Sequence, residues 1–136
     1  MKLIKLFALS GLLIGLIMQS AFSAGKLIIS ANTSDAAPRA AFEAIVEKFR
    51  AANPSIDVQF NVTEHEAYKT AIRTFIAADE GPDVGFWFAG NRMAGFVADG
   101  LFEDVSDVWA KNGLDKTMYS TMPSITFGGK QYGLPY

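Results

Sequence analysis

Two neighbouring aromatic residues, followed closely by an amide and a guanidinium, form the most informative group in the chain. They are Trp87 and Phe88, with Asn91 and Arg92 shortly after them. A ring can stack on a weakly apolar C–H face, whereas an amide or guanidinium can hydrogen-bond hydroxyl groups. A small ligand with both kinds of surface would suit such a group, so these four residues are candidate ligand contacts. Alternation along a strand could instead turn one ring into the core, and Asn91 could serve only as a helix cap.

Two further groups of polar residues follow apolar segments and are candidate ligand contacts. Asn32, Thr33 and Asp35 follow the first segment, and Glu64 and His65 follow the second. Their amide, hydroxyl, carboxylate and imidazole groups all suit hydroxyl recognition. Capping of the helices that come next explains these residues equally well, so both interpretations stay open.

Sequence signatures of enzymes and metal sites are missing. The chain has no G-x-S-x-G elbow, no P-loop and no G-x-G-x-x-G fingerprint. His65 is the only histidine, and its context HEAYK lacks the second histidine of a zinc-protease motif. Acidic residues near residues 99–107 fit helix starts and loops better than a glycosidase pair. We therefore expect no catalytic residue, no metal and no cofactor.

The segments that would position these residues alternate between strand and helix. Residues 26–30 form a short apolar run, and residues 56–62 alternate apolar and polar side chains. A third strand is expected at residues 84–87. Between them, residues 42–49 carry an apolar stripe at helical spacing after Pro38, and residues 66–78 return to that spacing. This order predicts an α/β fold with a mostly parallel sheet and flanking helices.

Such a sheet predicts where a ligand binds. In open parallel sheets, ligands lie beyond the carboxyl ends of the strands, at the point where strand order reverses. The rule selects the loops at residues 31–35, 63–68 and 88–92, which hold the candidate residues above.

The remaining segments predict short elements. Asn91 is expected to cap one helix and Ser106 another, which Asn112-Gly113 would end. Residues 126–136 are expected to form a hairpin around Gly128-Gly129.

The first 23 residues are predicted to be a secretory signal peptide. Lys2 and Lys5 precede an apolar run over residues 6–18, too short to span a membrane, and Ala21 and Ser23 suit cleavage after Ser23. The chain has 12 basic and 14 acidic residues, and loss of the leader removes two of the basic ones. An acidic mature part argues against nucleic acid or an anionic membrane as partner. Without cysteine, neither disulfides nor a thiol-linked lipid anchor can form, so we expect a periplasmic protein.

Four segments resemble the extracellular carbohydrate-binding proteins of ABC transporters, the family of maltose-binding protein. They are FEAIVEKFRAANPSIDVQF, GPDVGFWFAGNR, GLFEDVSDVW and GGKQYGLPY, at residues 42–60, 81–92, 100–109 and 128–136. The resemblance implies a type II periplasmic-binding-protein fold, with two lobes that close on a sugar without catalysis and deliver it to membrane permease subunits. It also implies a monomer.

The same resemblance bears on domains and on single residues. Family members are several times longer, so residues 24–136 are expected to form an N-terminal lobe, incomplete, with the second lobe missing. In the family pattern, Asn32, Thr33 and Asp35 match a binding loop and Trp87 resembles a stacking position. Tyr136 ends a hinge-like segment and could stack on the sugar.

Two other functions remain open. The same fold could bind a polyamine, an iron complex or another solute. A cationic ligand would need several carboxylates in the cleft, and an anionic one would need more than Arg92. A secreted glycoside hydrolase is the other alternative.

Overall fold

A computed structural model describes residues 25–33, 35–78 and 81–136 of the chain. The proposed signal peptide therefore lies outside the described residues. Five strands and five α-helices are present in the described part, together with one 3-10 helix, Met122–Ile125. The strands are β1 (Gly25–Ala31), β2 (Ile56–Val62), β3 (Val84–Gly85), β4 (Thr126–Phe127) and β5 (Lys130–Gln131). The helices are α1 (Ala36–Ala52), α2 (His65–Ala77), α3 (Asn91–Ala98), α4 (Ser106–Asn112) and α5 (Leu114–Thr117).

A three-stranded parallel sheet in the order β2-β1-β3 confirms the predicted α/β architecture. Crossovers from β1 to β2 and from β2 to β3 run in opposite directions along this sheet. Since such connections are right-handed, they place α1 and α2 on opposite faces. The reversal of strand order falls between β1 and β3, and Asn32 and Trp87 follow those two strands.

The third strand is shorter than its sequence predicted. Only Val84 and Gly85 pair with β1, opposite Ile29 and Ser30, although the Phe86 N–H still donates to the Ser30 carbonyl (3.1 Å). Trp87 lies outside the sheet, and its indole N–H donates to the Arg92 carbonyl (2.9 Å) in α3. The expectation of a strand through Trp87 is therefore wrong, and the two rings stand in a loop.

The apolar stripe of α1 is only partly covered. Val46 is buried and Phe42 is half-buried, but Ile45 is 60% exposed and Phe49 39% exposed. The helix ends at Asn53, and the Arg50 side chain near this end donates from Nε and Nη2 to the Val58 carbonyl of β2. These bonds tie the end of the helix to the neighbouring strand.

Tyr68 joins α2 to the two strands at the point where strand order reverses. Its side chain is 3% exposed, and its hydroxyl donates to the Ser30 carbonyl (3.1 Å). The same oxygen accepts the Phe86 N–H (2.8 Å). One hydroxyl thus partners both strands just before the candidate loops, which makes it a positioning group for the site.

Tyr68→Phe should lower the free energy of unfolding by about 1 kcal/mol, because the Ser30 carbonyl and the Phe86 N–H each lose one hydrogen bond and keep only the one that joins them. Burial raises the pKa of Tyr68 from 10.0 to about 12. Between these values the folded state holds the proton more tightly than the unfolded chain, so stability should fall as pH rises from 10 toward 12. Urea unfolding of both proteins across this pH range checks the prediction. An equal alkaline loss in the phenylalanine variant would contradict it.

A second core lies among the later elements. Met93, Trp109 and Ile125 are its buried members. The Trp109 indole donates to the Gly133 carbonyl (2.9 Å), which ties α4 to the C-terminal segment. The predicted hairpin forms between β4 and β5, and Gly128 and Gly129 both have the positive φ that such a turn requires (57° and 82°).

Two predicted helix caps are wrong by one residue. Gly90, with φ of 68°, is the N-cap of α3, so Asn91 is its first helical residue. Val105 takes the corresponding place before α4, where the Asp104 carboxylate accepts both the N–H and the hydroxyl of Ser106. A glycine suits the positive φ at the first of these positions. Gly113 does end α4 in the left-handed region, as expected.

None of the helices in the part that the structure describes is both long and apolar enough to cross a membrane.

Candidate functional site

Three loops at the carboxyl ends of the strands bring a connected set of polar and aromatic side chains together. Asn32, after β1, places its Nδ2 3.1 Å from Nδ1 of His65, at the start of α2. The His65 ring lies edge-on to Phe88, after β3, with the ring centroids 5.5 Å apart. An amide N–H can donate to Nδ1 only when the imidazole is neutral and carries its proton on Nε2. Side chains from the three loops selected from the sequence therefore lie close together in the structure.

The two neighbouring rings have different surroundings. Trp87 packs partly against the core of Met93, Trp109 and Ile125 and contacts Phe96 edge-on at 5.2 Å. Phe88 is half-buried outside that core. One ring is therefore directed toward the core, as considered, although both residues lie in a loop and not in a strand.

The guanidinium group of an arginine also lies over each of the two rings. Arg92 lies over Phe88, with Cζ 4.4 Å from the ring centroid, and Arg73 lies over Trp87 at 5.7 Å. Such cation–π contacts hold the planar side chains against the rings. Arg92 was expected at the site, whereas Arg73 was not.

Two adjoining hollows open beside these contacts. The smaller one, of about 190 Å³, is lined by Lys69, Arg73, Trp87, Phe88 and Arg92. The larger and more open hollow, of about 450 Å³, is also lined by Arg73 and Arg92. Much of its remaining lining comes from α3, which includes Asn91, and from Asp99 just after that helix. The candidate site therefore continues from the loops into the space between α2 and α3.

One face of α2 supplies two residues that were not expected from the sequence, Lys69 and Arg73. His65, Lys69 and Arg73 follow each other at intervals of four, which puts them on one side of a helix. That spacing was visible in the sequence and could have identified them. Lys69 also donates to both carboxylate oxygens of Glu66 (2.9 and 2.8 Å), and this hydrogen bonding lowers the pKa of Glu66.

Glu64 is engaged with its own helix. Its Oε2 accepts the N–H groups of Glu66 (3.0 Å) and Ala67 (3.2 Å), so the residue caps α2. Capping was one of the two interpretations of Glu64. The other was contact with a ligand hydroxyl, but Oε2 of this carboxylate is already occupied by the capping hydrogen bonds. It still fixes the position of His65 beside it.

Glu64→Ala should therefore lower the free energy of unfolding by about 1 kcal/mol, the usual cost of losing an N-cap side chain. Glu64→Asp or Glu64→Asn should retain part of it. Urea unfolding followed by far-UV circular dichroism measures the loss. If the alanine variant were as stable as the parent, the carboxylate would not be capping α2.

Besides Glu64, four predicted site residues lie outside the connected set. Thr33 is half-buried and Asp35 exposed after β1, and Asp35 is the N-cap of α1 without a side-chain hydrogen bond. Asn91 lines the larger hollow. Tyr136, 80% exposed, lies against Phe42 and Phe86 (5.2 and 4.9 Å) instead of the His65–Phe88 pair.

Among the described residues, no group of three or more histidine and acidic side chains could hold a metal ion. The acidic residues before and in α4 are engaged in local bonds. Hydrogen bonds from the hydroxyl and N–H of Ser106 and from Lys130 lower the pKa of Asp104 to about 2. The Lys111 ammonium likewise lowers the pKa of Asp107. A general acid needs the opposite shift, so these two carboxylates are unsuited to that role.

Comparison with known proteins agrees with the fold described above. A family model described as bacterial extracellular solute-binding protein matches residues 32–136. A search of curated proteins gave no match.

Solved structures share the fold. A structure from work on xylan utilization by the thermophilic bacterium Caldanaerobius polysaccharolyticus is 27% identical, with a TM-score of 0.74 over 81% of this chain and 28% of that one. The bacterial solute receptor AcbH, which has an exclusive preference for β-D-galactopyranose, is 26% identical, with a TM-score of 0.66 over 79% of this chain and 27% of its own. An ABC transporter solute-binding protein from Thermotoga lettingae, bound with α-D-tagatose, is 21% identical, with a TM-score of 0.72 over 83% and 29%.

The chain thus spans less than a third of the length of these structures. Within that span, the α/β sheet order, the crossovers and the family match agree with the type II periplasmic-binding-protein fold expected from the four sequence segments. The chain belongs to the bacterial extracellular solute-binding protein family.

Proposed function

We propose that this chain contributes one wall of a sugar-binding cleft in the solute-binding component of an ABC importer. The observation that carries the proposal is the connected set Asn32, His65, Phe88 and Arg92 at the carboxyl ends of the parallel strands. An amide, an imidazole, a ring and a guanidinium together can meet both the hydroxyl edges and the C–H faces of a sugar. The exclusive preference of AcbH for β-D-galactopyranose, together with the α-D-tagatose bound in the Thermotoga lettingae protein, supports the choice of ligand class.

The proposal includes the surroundings of that wall. Residues 24–136 form the N-terminal lobe, after removal of the signal peptide 1–23, and a second lobe completes the cleft. A small ligand is normally buried over about 70–90% of its surface, which one wall cannot achieve. Closure of the lobes on the sugar shifts the population toward a form that membrane permease subunits recognise. The protein acts as a monomer in the periplasm and releases its ligand unchanged.

The residues assigned to the site are those that the sequence selected. Phe88 and Trp87 provide the rings, and Asn32, His65, Asn91 and Arg92 provide hydrogen bonds. Thr33, Asp35, Glu64 and Tyr136 stand at its margin and meet the ligand only in the closed form.

Isothermal titration of the full-length protein against mono- and oligosaccharides tests this function. Galactose, tagatose and xylo-oligosaccharides are the first choices because of the relatives. Binding of at least one sugar with a Kd of about 1 μM or below is expected. Failure of every saccharide to bind would overturn the assignment. Release of the chromophore from chromogenic glycosides would show instead that the protein is a glycoside hydrolase.

A further inference from the structure

The smaller hollow between α2 and α3 combines three cationic side chains with two aromatic rings. Lys69, Arg73 and Arg92 line it together with Trp87 and Phe88. Its volume of about 190 Å³ is below the usual ~300–1,000 Å³ of a site that encloses a whole small ligand. It therefore suits one substituent of a ligand whose body lies against the neighbouring loops.

The two arginines in this hollow retain unused hydrogen-bonding capacity. Within residues 25–33, 35–78 and 81–136, neither guanidinium takes part in a hydrogen bond or an ion pair, although each lies over a ring. A ring covers a guanidinium face and leaves its N–H edge available. Lys69 differs because Glu66 already accepts two hydrogen bonds from it.

The polar side chains that line the hollow can only donate. Neither lysine nor arginine has an acceptor, so a sugar hydroxyl placed there would have no partner for its own proton. A carboxylate or a phosphate accepts only and matches this set, and the fork of arginine fits both in bidentate geometry. The cationic cluster also stands out in a chain whose formal net charge is −2.

We propose that the ligand is an acidic saccharide whose oxyanion is bound in this hollow by Arg73 and Arg92. This inference rests on the proposed sugar-binding function and narrows its substrate class. The charge of Lys69 is offset by the Glu66 carboxylate with which it is paired. An arriving oxyanion relieves the repulsion between the two guanidinium groups, which favours the acidic form of a sugar over the neutral one.

Matched pairs of neutral and acidic sugars test the inference on the full-length protein. Galactose is compared with galacturonate, glucose with glucuronate, and glucose with glucose 6-phosphate, by isothermal titration. At least one acidic sugar should bind about tenfold or more tighter than its neutral partner. The advantage should shrink between about 20 and 200 mM NaCl, because salt screens the attraction. The uronates and the phosphate ester together show which oxyanion the hollow accepts.

Substitutions locate the effect. Arg73→Gln should reduce the ratio of the affinities for the acidic and the neutral sugar about tenfold, whereas Arg73→Lys should restore part of that ratio. Lys116→Gln, which removes the same charge from α5 and lines neither hollow, should leave the preference unchanged. Thermal unfolding verifies that each variant is folded.

The outcomes separate this inference from the function on which it rests. Neutral sugars that bind as tightly as their acidic partners would overturn the inference and leave sugar binding in place. An acidic preference that Arg73→Gln does not alter would also overturn it. A protein that binds no saccharide of either kind would overturn the proposed function itself.

Discussion

Trp109→Ala is expected to lower the free energy of unfolding by about 3–5 kcal/mol, the usual cost of truncating a buried aromatic side chain to alanine. The indole is 1% exposed and is the largest side chain that is fully buried in the described part. Truncation leaves a cavity between Met93 and Ile125. It also removes the donor to the Gly133 carbonyl, which is an additional loss in a poorly hydrated place.

The structural effect of Trp109→Ala should extend to the candidate site, because Trp87 packs against the same core. Trp109→Phe retains most of the volume and should lose less than half as much stability. Lys111→Ala, on the same helix with its side chain 74% exposed, should stay within about 0.5 kcal/mol of the parent. Denaturant unfolding of the three variants measures these differences. A loss below about 1 kcal/mol in Trp109→Ala would mean that α4 does not pack as described.

Phe88→Ala is expected to weaken sugar binding by about 30-fold or more, equivalent to about 2 kcal/mol. The ring contacts His65 and Trp87 and lies beneath Arg92, so its removal takes away the stacking surface and frees two polar neighbours. Because Phe88 lies outside the Met93–Trp109–Ile125 core, stability should fall by no more than about 1 kcal/mol.

Phe75→Ala is a matched control for that experiment. It makes the same truncation on α2, at a ring that is 47% exposed and lines neither hollow. Affinity for the sugar should remain within about twofold of the parent. Equal losses of affinity in the two variants would show that Phe88 acts only through the general stability of the fold.

Local patterns in the sequence were sufficient for the architecture. The period of two over residues 56–62 and the helical spacing of Tyr68 and Ile72 predict which side chains face inward, and Val58, Tyr68 and Ile72 are buried. The order of these elements then leads to a parallel sheet and to three loops at one edge.

Features that depend on neighbours in space were not accessible in the same way. The third strand ends early because the Trp87 indole finds a carbonyl in α3, a contact that no periodicity encodes. Gly90 replaces Asn91 as the cap because the backbone there needs a positive φ. Spacing in the sequence places Arg73 on the same face of α2 as His65, but only the orientation of that helix brings its guanidinium over Trp87.

A crystal structure of the full-length protein with its bound saccharide is the most direct test of the central claim. The account predicts a sugar in contact with the Phe88 ring, within about 4.5 Å, and hydrogen-bonded to the Asn32–His65 pair or to Arg92. A saccharide bound elsewhere, with Phe88 and Asn32 free of it, would contradict the account.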